Sequence, residues 1–156
     1  MGKSPRKAIN KSMKNVHILL VEDNDGDILL TLEALEEAKM KNSISVVKDG
    51  EKAIQYVEKF GEYKDVISPD LIILDVNLPK LNGHEVLQYF KKSEKHRHIP
   101  IIMLTTSSSP RDINESYKNH VNCYITKPIE VDDFIKAVVS IENFWLSIVT
   151  LPSKTN

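Results

Sequence analysis

The stretch LIILDVNLP, Leu71 to Pro79, decides how this chain reads. Four apolar residues lead to one carboxylate, Asp75, and Val76, Asn77, Leu78 and Pro79 form a loop before any helical pattern begins, so Asp75 is not a helix cap. Short apolar runs set between helical patterns are buried parallel strands, and the side chains just past their carboxyl ends gather at one edge of the sheet. Three more runs end in chemistry. VHILLVED (Val16 to Asp23) closes on Glu22 and Asp23, IIMLTTS (Ile101 to Ser107) carries Thr105, and CYITKP (Cys123 to Pro128) ends on Lys127 and Pro128. Three carboxylates beside one ammonium and one hydroxyl describe a site for a hard dication and a phosphoryl group.

Between these runs the apolar residues fall at helical spacing. Ile28, Leu32, Leu35 and Ala38 mark a first helix, for which Asp23 and Asp25 are the candidate caps. The β-branched stretch Ser43 to Val47 is a second strand, followed by a turn at Asp49-Gly50 and a second helix carrying Ile54, Val57 and Phe60. Gly83 opens a third helix with Val86, Leu87 and Phe90, and Ile99-Pro100 leads into a fourth strand. Pro110, Ile113 and Tyr117 mark a fourth helix, the strand VNCYI follows, and a final helix starts at about Glu130. Five βα units predict an α/β fold, a five-stranded parallel sheet covered by helices on both faces. Right-handed crossovers favour the flavodoxin-like strand order 2-1-3-4-5, with a crevice between strands 1 and 3 where Asp23 and Asp75 stand.

Composition narrows the class. The 156 residues, 41% of them hydrophobic, suffice for one core and leave no room for a second catalytic or DNA-binding domain. No run approaches the roughly 18 apolar residues of a membrane span and no signal peptide is visible, which predicts a cytoplasmic protein. Lys3, Arg6, Lys7, Lys11 and Lys14 give residues 1–15 a charge of +5, leaving 16 basic against 22 acidic residues in the rest. Residues 1–15 therefore read as a basic, disordered leader, residues 16–149 as the folded domain and 150–156 as a tail, with neither a nucleic-acid nor a membrane partner expected. The single cysteine, Cys123, permits no internal disulfide and is expected to be a buried packing residue.

The crevice implies a particular chemistry. Two carboxylates about 4 Å apart repel by about 4 kcal/mol at an effective dielectric of 20, so a cluster of three requires cations. Lys127 supplies one and Mg²⁺ the other, through Asp23, Asp75, a backbone carbonyl, water and a phosphoryl oxygen. With its charge screened, the Asp75 carboxylate is able to attack phosphorus and become an acyl phosphate, while Thr105 bonds a phosphoryl oxygen.

On these residues, Val16 to about Phe144 resembles the receiver domain of bacterial two-component response regulators. The family's acidic pair matches Glu22-Asp23, its phospho-accepting Asp matches Asp75, its switch hydroxyl matches Thr105 and its Lys-Pro matches Lys127-Pro128. The resemblance implies Mg²⁺ held by Asp23, Asp75 and the main-chain carbonyl of Asn77, with Glu22 holding a metal-bound water. It implies a phosphoryl group received from a sensor histidine kinase or phosphotransfer protein, a self-phosphorylating and self-dephosphorylating acceptor rather than an enzyme, an aromatic switch at Tyr124, and a cis Lys127-Pro128 peptide. HVNCYITKP (His120 to Pro128) and ENFWLSIVTLP (Glu142 to Pro152) are similar to the stand-alone regulators of phytochrome-type kinases, which are often dimers through the fourth and fifth helices and fifth strand. The final helix supports that independently, because Phe134, Val138, Ile141, Trp145 and Ile148 form one apolar stripe and Ile135, Val139, Leu146 and Val149 a second.

Thr106 is larger than the residue many receivers carry there, and Asn77 and Ser107 occupy positions through which receivers tune phosphoryl lifetime. Other readings fare worse. A haloacid-dehalogenase-type hydrolase needs a second acid where Asn77 stands, and the five glycines never fall into a phosphate-loop spacing. His96 and His98 flank Arg97 without an adjacent thiol or carboxylate, which disfavours zinc. The remaining rival is a phosphate-independent receiver that acts as a protein-binding module.

Overall fold

The computed structural model describes residues 15–38, 42–106, 114, 121 and 123–140, the side chains of 139 and 140 excepted. Five parallel strands, β1 (Val16–Val21), β2 (Asn42–Val47), β3 (Leu71–Asp75), β4 (Ile101–Thr105) and β5 (Cys123–Thr126), lie in the order β2-β1-β3-β4-β5. This is the predicted order. Four helices are described: α1 (Asp25–Glu37), α2 (Gly50–Glu58), α3 (Gly83–Lys92) and α4 (Val131–Ser140). The helix expected around Pro110, Ile113 and Tyr117 lies outside the described residues, as do Ser107, the leader as far as residue 14, the tail, and the far half of the final helix with Ile141, Trp145, Leu146, Ile148 and Val149.

The central strands bury both faces. All six residues of β1 are buried, and their side chains alternate between two cores because successive residues of a strand point to opposite faces. Val16, Ile18 and Leu20 join Leu71, Ile73, Ile102 and Leu104 under α1 and α4, where Ala34, Leu35, Phe134, Ala137 and Val138 close the layer. Leu19 and Val21 join Ile72, Leu74, Ile101 and Met103 under α2 and α3, closed by Ala53, Tyr56, Val57, Val86, Leu87 and Phe90. The continuous apolar runs are thus the signature of strands covered on both sides.

Helix starts follow local chemistry. The cap of α1 is Asn24, neither of the two aspartates expected, and its side chain accepts from the N–H of Asp27 at 2.9 Å. Asn and Asp cap almost equally well, so the aspartates were not distinguishable from Asn24 by residue type. Asp49 caps α2 by accepting from the Lys52 N–H, so Asp49-Gly50 is a helix start and not a free turn. Asn82 and Glu85 form a reciprocal capping box on α3. The second helix ends sooner than its periodicity suggests. Lys59 takes a left-handed conformation at φ 58°, and Phe60, expected on the helix, stands beyond it and is 68% exposed.

Two other expectations need correction. His96 has a carboxylate partner after all, because the fold brings Glu58 of α2 to 3.2 Å from its Nε2, where Tyr89 also donates to Glu58. This is a tie between α2, α3 and the following loop, and among the described residues the histidines enter no cluster of potential metal ligands. Cys123 packs against the core as expected but is half-buried rather than fully buried, beside a cavity of about 380 Å³ lined also by Tyr124, Ile125, Thr126, Asp133, Lys136 and Ala137. Burial still pushes its thiol above the ordinary value.

Candidate functional site

Register places the site. β1 pairs with β3 so that Val21 stands opposite Leu74, and β3 pairs with β4 so that Asp75 stands opposite Leu104. The residues that follow β1, end β3 and β4, and follow β5 therefore meet at one edge of the sheet. Ligand oxygens of Glu22, Asp23 and Asp75 lie within 4.8 Å of one another, with Glu22 and Asp75 buried and Asp23 exposed. Thr105 is fully buried at the end of the adjacent strand, and its carbonyl accepts from the Lys127 N–H. Asn77 is exposed in the loop after Asp75, and Tyr124 is half-buried in β5 against the α2/α3-side core. The Lys127-Pro128 peptide is cis, as the resemblance implied.

Lys127 knits the edge together. Its Nζ lies 2.6 Å from Glu22 Oε1, 3.0 Å from Asp27 Oδ2 and 3.2 Å from Asp75 Oδ1. The other carboxylate oxygen of Glu22 accepts from the Asn24 N–H. Burial pushes the Glu22 carboxyl up to about 7, with the nearby Asp75 charge adding to the effect and the Lys127 hydrogen bond opposing it. For Lys127, burial works against the charge, but hydrogen bonds to Glu22 and Asp27 and the fields of Asp75 and Glu22 outweigh it and raise the ammonium above its ordinary value.

Asp27 is the residue that sequence reasoning missed. It sits in the first turn of α1, where an acid is readily explained by the helix dipole alone. Its contact with Lys127 spans 100 residues of sequence, and only the arrangement of the strands reveals it. Gly83 was also read too simply. It does open α3, but a Cβ there would collide with the carbonyl oxygen of Asp75 and stand 2.8 Å from Val76 Cα, so the helix start braces the Asp75 loop backbone to backbone. Its N–H reinforces this by donating to the Val76 carbonyl at 2.8 Å.

The donor set fits a divalent cation. Three carboxylates offer hard oxygen ligands from two adjacent strand ends, and a single ammonium does not balance them. At the same edge, a buried carboxylate, a buried hydroxyl and an ammonium suit phosphoryl chemistry.

The chain belongs to the response regulator receiver domain family, whose family model matches residues 18–139. Response regulator Rcp1 of Synechocystis is 43% identical over 136 residues, which make up 87% of this chain and 92% of that protein. The structure of the phosphorylated cyanobacterial phytochrome response regulator RcpA is 45% identical with a TM-score of 0.72, the match covering 88% of this chain and 99% of that one. The Mn²⁺-bound form of Rcp1 is similar at 42% identity and a TM-score of 0.71, over 88% of this chain and 99% of that one. Among the described residues, no helix is long and apolar enough to cross a membrane.

Proposed function

We propose that this protein is a phosphorylation-dependent response regulator that accepts a phosphoryl group on Asp75 from a sensor histidine kinase or phosphotransfer protein. The observation that carries this reading is Lys127 Nζ lying 3.2 Å from Asp75 Oδ1 within the carboxylate cluster, at the sheet edge that also ends in Thr105. An Asp75 carboxylate oxygen forms the new bond to phosphorus as the donor's P–N bond breaks, and the leaving imidazole takes up a proton. Lys127 and Thr105 neutralise and bond the phosphoryl oxygens. Asp23, Asp75 and the main-chain carbonyl of Asn77 would hold Mg²⁺, with Glu22 reaching it through water. When bound, the ion supplies charge neutralisation at the transferring group.

Thr105 moves toward the phosphoryl group and Tyr124 follows, changing the surface around β5 and the helices beside it. The output is binding to another protein. The likeness to RcpA supports a kinase of the phytochrome type, and the exposed Ile135 on α4 supports a homodimer through that helix.

The test is intact-protein mass after incubation with acetyl phosphate or phosphoramidate and Mg²⁺. A gain of one phosphoryl group, about 80 Da, that vanishes without metal and in Asp75→Asn is expected for a carboxylate nucleophile. No adduct, together with no beryllofluoride binding, would overturn this reading in favour of a phosphate-independent binding module.

A further inference from the structure

The Lys127 ammonium stands in ion-pair range of three carboxylates, Glu22 at 2.6 Å, Asp27 at 3.0 Å and Asp75 at 3.2 Å, and it donates a hydrogen bond to Asp27. A phosphoryl oxygen arriving on Asp75 draws on the same ammonium, so it competes with the partners already beside it. Glu22 is fully buried and is also fixed by the Asn24 N–H. Asp75 is itself the group that becomes the acyl phosphate. Asp27 alone has an outlet to solvent: its side chain is 32% exposed, so water solvates it once released, whereas releasing Glu22 would leave a buried carboxylate without a cation. Asp27 is also held in place beforehand, because the N-cap of α1 fixes its backbone through Asn24.

We propose that Asp27 is a positioning residue that holds the Lys127 ammonium in the unphosphorylated protein and competes with the phosphoryl group for it. The competition sets how readily Asp75 takes and keeps a phosphoryl group, and it ties the first turn of α1 to the loop after β5 only while Asp75 is free. This rests on Asp75 being the phosphoacceptor. It makes Asp27 a brake, and the sign of its removal separates it from a structural role: a lost structural contact weakens phosphoryl binding, whereas a lost competitor strengthens it.

The experiment uses the full chain, with Mg²⁺ and beryllofluoride as the probe and phosphoramidate labelling as the rate readout. Asp27→Asn is expected to bind beryllofluoride about three- to tenfold more tightly and to label faster by a similar factor, a charged hydrogen bond discounted for its partial exposure. Asp27→Ser should behave alike, and Asp27→Glu should restore values near the wild type. Thermal unfolding of Asp27→Asn, Lys127→Met and the double variant without either probe reads the tie itself, with shifts expected to depart from additivity by roughly 2–4 °C.

Unchanged or weaker beryllofluoride binding in both Asn and Ser variants, or additive melting shifts, overturns the proposal. A wild type that takes neither probe overturns the phosphoacceptor reading and the competition with it. Non-additive melting shifts would persist in that case, which distinguishes it from failure of the tie.

Discussion

Glu22 and Lys127 meet at 2.6 Å with both side chains buried, so the acidic edge of the sheet is held by an ion pair whose acid is reluctant to ionise. The folded Glu22 carboxyl titrates at about 7 against an ordinary 4.5, so the folded protein binds the proton more tightly than the unfolded chain. The contribution to stability is therefore fully present below about pH 4.5 and is lost as pH rises through about 7. Metal-free wild type should lose melting temperature across that window relative to Glu22→Gln, measured in parallel by calorimetry. Parallel curves for the two proteins would show that Glu22 titrates normally.

Lys127→Met should leave Glu22 and Asp75 buried without their cation. Breaking a buried pair from one side costs about 3 kcal/mol, and the loss should be largest above neutral pH, where Glu22 is ionised. A divalent ion then replaces part of the missing charge, so Mg²⁺ should raise the melting temperature of the variant more than that of the wild type. Equal metal responses would argue that the acids do not share one cation site.

Gly83→Ala places a methyl group against the Asp75 carbonyl, where backbone cannot yield cheaply. A destabilisation of about 2 kcal/mol is expected from such overpacking. Asp75 labelling should fall further than stability alone explains, because the loop that aims Asp75 is displaced. A variant that melts early but labels at the normal rate would separate the brace from the site.

Phe90→Ala removes a fully buried ring from the core under α2 and α3, at a cost of about 3–5 kcal/mol in urea unfolding. The loss should be global, since α3 also carries the Gly83 brace at its start.

Ile135 is 42% exposed on α4, whereas Phe134 and Val138 of the same helix are buried. Ile135→Glu should shift the protein toward monomer in sedimentation equilibrium. A wild type that is monomeric at high concentration, phosphorylated or not, would remove the dimer.

How far the sequence carried this reading depended on how local each decision was. Strands β1, β3 and β4 were legible because burial on both faces imposes continuous apolar runs, and the acids and hydroxyl at their ends inherit their position from the strand. Phe60 was misplaced because a single left-handed residue, Lys59, ends the helix, and lysine does not advertise that conformation. The His96–Glu58 and Asp27–Lys127 contacts join residues 38 and 100 positions apart, and no spacing pattern encodes them. Gly83 was seen as a helix start, whereas its lack of a side chain matters for a neighbour it meets only after α3 folds back.

The 100-residue reach of the Asp27–Lys127 bond also bears on when the acidic edge of the sheet is balanced. Glu22, Asp23 and Asp75 leave the ribosome early, but the ammonium that tempers their repulsion emerges with the last strand. Until β5 docks, these acids stand without the Lys127 ammonium, and their mutual repulsion at the sheet edge is uncompensated. The strand order and the charge balance of the acidic edge are thus completed by one and the same segment.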